Sequence, residues 1–478
     1  MITDTSKEKT IDVPTPVNSL RAGFELIPSV KVMINIGAGF DIPTGTFIEG
    51  SRGEYILNGG LGSLTGVVGI GNNFKTTMLW YMMLMAMSRM NGSHGNMYDT
   101  EINIHEWHVL QFIMAIKDFE GEDIIDNGRL DITDKTLYLG GAYWDKLKEY
   151  LMNKIKARKT HLVKTPFFNR DRKGNLEILR PTFSLVDSLS EFVTEDVVKM
   201  QNDNTLGESG ANTVSMRQGL QKNRFLQEIP ALAGGAYNYT LFSAHIGETI
   251  NMDPYSPPAK KLQYLQKMKI KGVPEKFTFL MNNCWWAHDA KPLVNKDKVP
   301  EYPRDGDDSI VGETDLNLVR MLQLRSKSGK TGVYLEVIVS QSDGVLPALT
   351  EFHYLKSMDR FGFEGNLQNY SMALLPDVKL SRTTVRGKID SNIKLCRAIN
   401  ITSELCQLYE HHRNRYADVL CSPKELYDDL KAMGYDWDVL FNTRGYWVVD
   451  DMHPLPFLST MDLLRMRKGL YTPYWLKK

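Results

Sequence analysis

The sequence has little cysteine, and this scarcity excludes two classes of protein. Four cysteines occur in 478 residues, none in a Cys-x-x-Cys pair, and no Cys/His spacing matches a zinc site. Small secreted scaffolds need a denser set of disulfides, and structural zinc sites need four suitably spaced ligands. A disulfide framework and a zinc-dependent fold are therefore excluded, and a reducing environment is expected.

Long apolar runs are also missing. The longest run, from Met78 to Met87, is too short to span a bilayer. The first residues, MITDTSKEKTIDVPTP, contain no apolar stretch of the kind found in a secretory signal. We therefore expect a cytoplasmic protein that has no membrane partner.

Neither sign of charge is in excess. Lysine and arginine together number 57, and aspartate and glutamate together also number 57. Such a chain has no global basic field, so a nucleic-acid site would have to be a local patch. Hydrophobic residues make up 42% of the chain and charged residues 24%, which is ordinary for a globular protein, and the length favours more than one domain.

Short apolar runs alternate with helical patterns in the middle of the chain. LTGVVGI, NMYDTE, FSLVD and YTLFSAH are typical of strands, helical spacing covers residues 143–162, and RDRKGN predicts the turn of an inserted hairpin. The alternation predicts an α/β core with a mostly parallel, twisted sheet at residues 56–350. Residues 1–55 would form an N-terminal arm and lead-in, with a disordered tail as the alternative for the arm. Short helices and aromatic residues predict a small C-terminal α+β domain over residues 380–478.

A candidate phosphate loop follows the first of these strands. Residues 69–76 read GIGNNFKT, which matches the pattern G-x-x-x-x-G-K-[ST] except that Phe74 replaces the second glycine. In such loops main-chain amides wrap the phosphates, the lysine contacts the β- and γ-phosphates, and the hydroxyl binds Mg²⁺. Lys75 and Thr76 would take these last two roles. The alternative is a glycine-rich turn that contains a lysine by chance.

Three polar residues at later strand ends would complete this chemistry. Hydrolysis of ATP needs an acid that binds the metal and a group that orients or deprotonates water. Asp187 ends FSLVD and would bind Mg²⁺ together with Thr76, whereas Glu101 ends NMYDTE and would polarise the water. His245 ends YTLFSAH and would sense the γ-phosphate. Solvated acids and a core histidine are the alternatives. The predicted ATP-binding residues are Gly69, Gly71, Asn72, Asn73, Phe74, Lys75, Thr76, Thr77 and Asp187.

Together these residues resemble the RecA/UvsX recombinases, and the phage UvsX branch most closely. That branch also has phenylalanine before the lysine, a YDSE strand like Tyr98–Glu101, an IDS motif like Val186–Ser188 and a histidine like His245. The resemblance covers residues 32–350. It implies a RecA-like core, a DNA-dependent ATPase with ATP and Mg²⁺ between subunits, and filaments on single-stranded DNA, with duplex DNA as a further partner. It also implies roles in recombination, repair and replication, in a bacterial cytoplasm if the protein is phage-encoded.

The resemblance also indicates residues outside the nucleotide site. Arg325 and Lys327, in QLRSKSGK, match a basic pair that reaches the phosphates bound by the neighbouring subunit, and with Lys75, Glu101 and His245 they form the predicted catalytic set. The alternative for the pair is a solvated hairpin turn.

Two DNA-binding loops are implied, one near residues 202–212 and one at residues 247–276. In the second loop, lysines would neutralise phosphates and tyrosines would stack on bases, with a solvated basic loop as the alternative. The predicted DNA-binding residues are Lys260, Lys261, Tyr264, Lys267, Lys269, Lys271 and Arg217, and Lys222 and Arg224 would add to the same surface.

Two other functions compete with a recombinase. LVRMLQLRSKSGKTG also resembles the arginine-finger strand of hexameric replicative helicases, which share the fold and have a histidine at the position of His245. A low-turnover DNA-binding scaffold is the second alternative, because the bulky Phe74 would tighten or misplace the loop. The recombinase is favoured because the segment before Gly69 is short for the domain that ring helicases carry ahead of the motor.

Overall fold

The computed structural model of the chain has an α/β architecture built on one large mixed sheet. It describes residue 28 and residues 30–203, 211–248, 264–265, 268–304 and 314–476. The strands are β1 (Thr46–Glu49), β2 (Tyr55–Asn58), β3 (Leu64–Gly69), β4 (His94–Asp99), β5 (Leu130–Asp134), β6 (Leu162–Phe168), β7 (Asn175–Leu179), β8 (Thr182–Asp187), β9 (Asn238–Glu248), β10 (Met268–Ile270), β11 (Asn283–Pro292), β12 (Leu316–Ser326), β13 (Tyr334–Ser340), β14 (Gly344–Val345), β15 (Phe363–Gly365), β16 (Tyr370–Met372) and β17 (Leu375–Leu380).

The α-helices lie on the faces of this sheet and in the C-terminal part of the chain. They are α1 (Asp41–Thr44), α2 (Lys75–Arg89), α3 (Glu106–Met114), α4 (Gly140–Lys156), α5 (Glu195–Asp203), α6 (Ala211–Ala236), α7 (Phe277–Leu280), α8 (Pro347–Ser357), α9 (Val385–Ser391), α10 (Ile393–Tyr416), α11 (Pro423–Ala432), α12 (Trp437–Phe441) and α13 (Thr460–Arg467). Across the described ranges, no helix is both long enough and apolar enough to cross a membrane.

The central sheet has ten strands, in the order β14-β13-β12-β11-β3-β9-β8-β4-β5 with β10 attached to β9. Neighbours from β11 to β5 are parallel, whereas β12, β13 and β14 continue the sheet antiparallel, and β10 forms a hairpin with β9. The prediction of a mostly parallel α/β sheet is therefore confirmed. Parallel pairing brings the carboxyl ends of β3, β9, β8 and β4 to one edge, the usual position of ligand sites in such sheets.

Strand β3 and helix α2 form the centre of the core. All residues of β3 are buried, and most of the apolar face of α2, including Met78 and Leu79, is buried against the sheet. A helix that is apolar around most of its circumference is stable only when it is covered on several sides. The helix ends at Arg89, and Gly92 follows with a φ of 67°, a conformation that glycine commonly adopts just after a helix.

The segment between β5 and β8 contains the predicted hairpin. Strands β6 and β7 pair antiparallel, and residues 169–174 form their turn. Helix α4 ends at Lys156, so the helix predicted over residues 143–162 was too long at its carboxyl end. The chain there passes through a 3₁₀ turn at Arg158–Thr160, and Leu162 already belongs to β6, where alternate side chains are buried.

The C-terminal helices pack against the residues that precede the candidate phosphate loop. Ile42, Phe47 and Leu57 share one hydrophobic cluster with residues of α10 to α13, and the Trp447 indole donates a hydrogen bond to the Met33 carbonyl at 3.0 Å. The sequence predicted only short helices here, yet α10 has 24 residues, with a break in its helical backbone at His412. A shared core joins residues 42–57 to the C-terminal helices, and the domain limits at residues 55, 350 and 380 stay predictions.

Candidate functional site

The loop between β3 and α2 has an unusual backbone. Asn72 and Phe74 have φ values of 61° and 56°, a left-handed region that L-residues other than glycine rarely adopt. This conformation explains why the phosphate-loop sequence pattern has glycine where this chain has Phe74. The phenylalanine ring packs partly buried against the main hydrophobic core, which offsets the backbone strain. The Phe74 carbonyl accepts the first helical hydrogen bond, from the Met78 amide at 2.9 Å.

Side-chain contacts fix this loop to the sheet. The Asn73 amide donates to the Ala287 carbonyl on β11 at 3.0 Å. A Cβ atom on Gly69 would lie 3.0 Å from the same carbonyl oxygen and 3.3 Å from Cδ of Lys75, so a side chain there would disturb the lysine. A Cβ on Gly71 would meet nothing within 4 Å, so that side of the loop is open. The loop is therefore anchored to β11 on one side and open at Gly71 on the other.

Lys75 is the cation of the loop. It is buried, and its Nζ donates to the Ile70 carbonyl at 2.8 Å. Burial lowers the pKa of Lys75 below its ordinary value, and the negative charges of Asp187 and Glu101 oppose this shift. Two carboxylates therefore lie close enough to Lys75 to favour its charged form. A partly desolvated ammonium of this kind is suited to binding an anion.

Asp187 connects three elements at the carboxyl edge of the sheet. Its carboxylate accepts hydrogen bonds from the Thr76 hydroxyl on α2 and from the Ser243 hydroxyl on β9. Burial raises the pKa of Asp187, and the two hydroxyl donors oppose this shift. A carboxylate beside a threonine hydroxyl is a ligand set that suits Mg²⁺ bound to a nucleotide. The contact with Ser243 was missed by the sequence reasoning, because it depends on β8 and β9 being neighbours.

Asp99 folds the loop that carries Glu101. Its Oδ1 accepts the amides of Glu101 and Ile102 at 2.8 and 2.9 Å, and its Oδ2 accepts the amides of Asn103 and Ile104 at 2.7 Å each. Ile102 has a φ of 57° within this turn. The sequence reasoning singled out Glu101 and overlooked Asp99, although an aspartate that begins a turn is a recognised signal for such hydrogen bonds.

Glu101 and His245 lie next to each other. Oε1 of Glu101 is 2.9 Å from Nε2 of His245, whose own amide donates to the Ser190 hydroxyl at 2.9 Å. In the parallel register of β3 and β9, Gly69 and His245 are opposite each other. The structure thus brings Glu101, His245, Lys75 and the hydrogen-bonded pair of Thr76 and Asp187 to one edge of the sheet, although these residues are spread over separate parts of the sequence.

Arg325 and Lys327 lie at the opposite end of the strands. Arg325 on β12 pairs with Cys284 on β11, which pairs in turn with Gly66, near the beginning of β3. The Arg325 guanidinium lies 5.4 Å from the centre of the Phe279 ring. Lys327 donates to the Leu280 carbonyl at 2.9 Å, and burial lowers its pKa. Neither side chain is near the phosphate loop of its own chain.

Part of the predicted second DNA loop lies outside the described residues, including Lys260, Lys261 and Lys267. Lys269 and Lys271 are exposed on or just after β10, and Lys271 lies across Gly247, where an added Cβ would be 2.0 Å from its Cε. Tyr264 is half-buried, and a Cβ on Gly332 would lie 2.4 Å from its hydroxyl oxygen. Its ring therefore packs against the protein and is not freely exposed for stacking. Most of the predicted first DNA loop is likewise outside the described ranges.

Helix α6 carries three further predicted DNA-binding residues in different settings. Arg217 and Arg224 are exposed; Arg217 lies 3.8 Å from the carboxylate of Asp196, and Arg224 lies 3.1 Å from that of Glu228. Lys222 is not on the surface as predicted: it is buried and donates to the carbonyls of Ser190 and Gly272 at 2.5 and 2.8 Å. Burial lowers the pKa of Lys222 to about 8. The pattern of charges along the helix could not predict this burial, because it depends on the two carbonyls that receive the ammonium.

No protein-family model and no curated protein sequence matches this chain.

Within the described ranges, no group of three or more histidine, cysteine, aspartate or glutamate residues could hold a metal ion. The chemistry of the site is therefore that of a strand–loop–helix turn with one buried lysine, one carboxylate–hydroxyl pair and one carboxylate–histidine pair.

Proposed function

We propose that this chain is an ATPase with a RecA-type core that polymerises on single-stranded DNA, as strand-exchange recombinases do. The observation that carries the proposal is the hydrogen bond from Thr76 to Asp187 beside the buried ammonium of Lys75. A nucleotide site of this class needs an ammonium group for the phosphates, with a hydroxyl and a carboxylate next to it for the metal. These groups lie at the carboxyl ends of parallel strands. The β3–α2 turn supplies the first two and β8 supplies the third.

The residues fit ATP with Mg²⁺. Main-chain amides of residues 69–76 and the Lys75 ammonium would bind the phosphates, and Thr76 and Asp187 would bind the metal. Mg²⁺ usually takes only one or two ligands from side chains and the rest from phosphates and water, which agrees with the absence of a larger acidic cluster in the described ranges. When bound, the ion would neutralise charge that develops on the phosphates during hydrolysis.

Glu101 is the group best placed to orient a water molecule or to accept its proton. Asp99 holds the backbone of its loop through four amides, so the carboxylate is positioned by a rigid turn. Its partner His245 belongs to β9, which continues into the hairpin with β10. A change in the Glu101–His245 contact would therefore be transmitted to the predicted second DNA loop, which begins where β9 ends.

The position of Arg325 and Lys327 supports an active site shared between subunits. Both cations lie at the amino ends of the parallel strands, away from the phosphate loop of the same chain. In a head-to-tail assembly the amino edge of one subunit would meet the carboxyl edge of the next. The two cations would then stabilise the charge on the neighbour's phosphates, so that hydrolysis would require assembly.

Electron microscopy tests this proposal directly. The protein would be imaged with single-stranded DNA and a non-hydrolysable ATP analogue, and ATPase turnover would be measured with and without the DNA. Helical filaments and DNA-stimulated turnover are expected. Closed rings would instead indicate a hexameric helicase of the same fold, and DNA binding with negligible ATPase would indicate a scaffold.

A further inference from the structure

A cavity of about 400 Å³ lies between the antiparallel part of the sheet and the C-terminal helices. Its lining includes His288, whose carbonyl accepts a hydrogen bond from the Asn73 amide of the candidate phosphate loop at 3.4 Å. We call it the junction cavity; its polar lining includes Arg320, Glu336, Glu351, Ser403, Gln407 and Glu410. These residues come from β12, β13, α8 and α10. The volume is in the range of pockets that hold small organic molecules.

The lining of the junction cavity carries an excess of negative charge. Glu336 and Glu410 line it against the single guanidinium of Arg320, which is 2.9 Å from Glu336, and the buried carboxyl of Glu351 adds a further negative charge when it ionises. His411 also lines the cavity, and burial lowers its pKa, which favours the neutral imidazole. The cavity would therefore attract a cation and repel a phosphate or another anion.

Glu351 is the deepest of these carboxylates. It is 5% exposed, and its only hydrogen bonds within the described ranges come from the Asn400 amide at 3.3 and 3.5 Å. Burial raises the pKa of Glu351 to about 8, and the charge of Glu404 adds to this shift. A buried carboxyl with such weak partners is stabilised when a cation is placed beside it.

Gln407 provides independent evidence for a ligand, because one of its buried polar atoms has no hydrogen-bond partner in the described ranges. The residue is 3% exposed and lines the cavity. Its Nε2 donates to the Ser403 hydroxyl at 3.0 Å, whereas Oε1 is buried and has no hydrogen-bond partner in the described ranges. A buried amide oxygen without a donor costs about 1–3 kcal/mol, so this atom calls for an N–H or O–H group.

We propose that the junction cavity binds an organic cation, an alkyl diamine or polyamine with one ammonium group beside Glu351 and Gln407. An ammonium group would favour the ionised form of the Glu351 carboxyl and would supply the hydrogen that Oε1 of Gln407 needs. Tyr354, whose hydroxyl donates to Glu410 at 2.8 Å, adds an aromatic face of the kind that attracts alkylammonium groups. A metal ion fits less well, because no group of three or more suitable ligands occurs in the described ranges.

Such a ligand would strengthen the junction between α10 and the strands β12 and β13. The far end of β12 carries Arg325, so the site would stabilise the part of the sheet that is proposed to contact the next subunit. Binding itself needs neither nucleotide nor DNA, so it can be measured on the free protein. Its failure would leave the ATPase proposal unaffected.

The experiment is calorimetric titration and thermal unfolding of the full chain with putrescine and spermidine. Sodium chloride at equal ionic strength and 1,4-butanediol are the controls for charge and for shape. Putrescine or spermidine should raise Tm in a saturable way, and butanediol should not. Glu351→Gln should weaken binding at least tenfold, whereas Asp462→Asn, at a buried carboxyl outside the cavity, should leave it unchanged.

Three results would overturn the proposal: an equal Tm rise with sodium chloride, equal binding of butanediol, or unchanged diamine affinity in Glu351→Gln. If Glu351→Gln does not fold, Glu410→Gln on the cavity rim provides the same comparison with an exposed side chain. Unchanged affinity in that variant would equally count against the site.

Discussion

The Thr76 hydroxyl donates a hydrogen bond to Oδ2 of Asp187, and this contact joins the first turn of α2 to the end of β8. Two residues that are far apart in sequence thus meet at the edge where β3 and β8 end. Ser243 holds the other oxygen of the same carboxylate from β9. The carboxylate is fixed between two hydroxyls, so the geometry is built before any ligand arrives, which lowers the reorganisation that binding requires.

The first prediction concerns Lys75. Lys75→Ala removes the buried ammonium while leaving the β3–α2 turn in place, so nucleotide-dependent turnover should fall by about 100-fold or more. The measurement is phosphate release in the presence of single-stranded DNA. Lys431→Ala, on the exposed surface of α11, is the control and should keep full activity. Unchanged ATPase in Lys75→Ala would refute the assignment of the phosphate loop.

The second prediction concerns the backbone strain at Phe74. Phe74→Gly and Phe74→Ala both lose the packed ring, but only alanine keeps the cost of a φ near 56°. Glycine should therefore give the more stable protein by about 1 kcal/mol, the reverse of the order for the interior of a helix. Chemical denaturation of the two variants measures this difference. A more stable alanine variant would show that Phe74 does not have the left-handed conformation.

The third prediction concerns Asp99. Asp99→Asn replaces one accepting carboxylate oxygen by an NH₂ group, which cannot accept hydrogen bonds. Two of the four backbone N–H groups in the Glu101 turn therefore lose their acceptor. The turn should loosen, and turnover should fall by about tenfold or more, with nucleotide affinity nearly unchanged. Equilibrium binding of a fluorescent ATP analogue and steady-state ATPase separate the two effects. Asp131→Asn on β5 is the matched control, and an equal loss of affinity and turnover in Asp99→Asn would contradict the positioning role.

These residues show what the sequence could predict and what it could not. The order of strand, loop and helix around Lys75 depends on local pattern, as does the strand that ends at Asp187, and both were predicted. The partner of Asp187 on β9 depends on which strands are neighbours, and no local pattern carries that information. The burial of Lys222 was missed for the same reason, because a lysine on a polar helix looks exposed until the packing of α6 is known.

Buried carboxyls near the C-terminus form another feature that only the fold reveals. Asp462 accepts the Tyr55 amide at 2.9 Å and lies within 3.3 Å of Arg465, yet its Oδ2 has no partner in the described ranges. Burial raises the pKa of Asp462 from 3.8 to about 7. Because Tyr55 belongs to β2 and Asp462 to α13, the acid lies where the C-terminal helix α13 contacts the hairpin of β1 and β2.

The fourth prediction is a pH dependence of stability. The folded pKa of Asp462 lies above its unfolded value, so its stabilising contribution is complete below pH about 4 and is lost as pH rises through about 7. Between those limits one such group changes the free energy of unfolding by at most about 1.4 kcal/mol per pH unit. Asp462→Asn removes this titration, so its stability should fall less steeply than that of the wild type. Thermal unfolding over this range measures the slopes, and Asp377→Asn at an exposed site should match the wild type.

The fifth prediction tests whether the active site is shared between subunits. Arg325→Ala should abolish DNA-stimulated ATPase although its own phosphate loop is intact, because the guanidinium acts on the neighbour's nucleotide. A mixture of Arg325→Ala and Lys75→Ala subunits should regain part of the activity, since some junctions pair an intact Lys75 with an intact Arg325. ATPase measured across mixing ratios should pass through a maximum at an intermediate ratio. Activity that stays at the level of the single variants at every ratio would place Arg325 outside the catalytic set and leave its contact with Phe279 as a packing interaction.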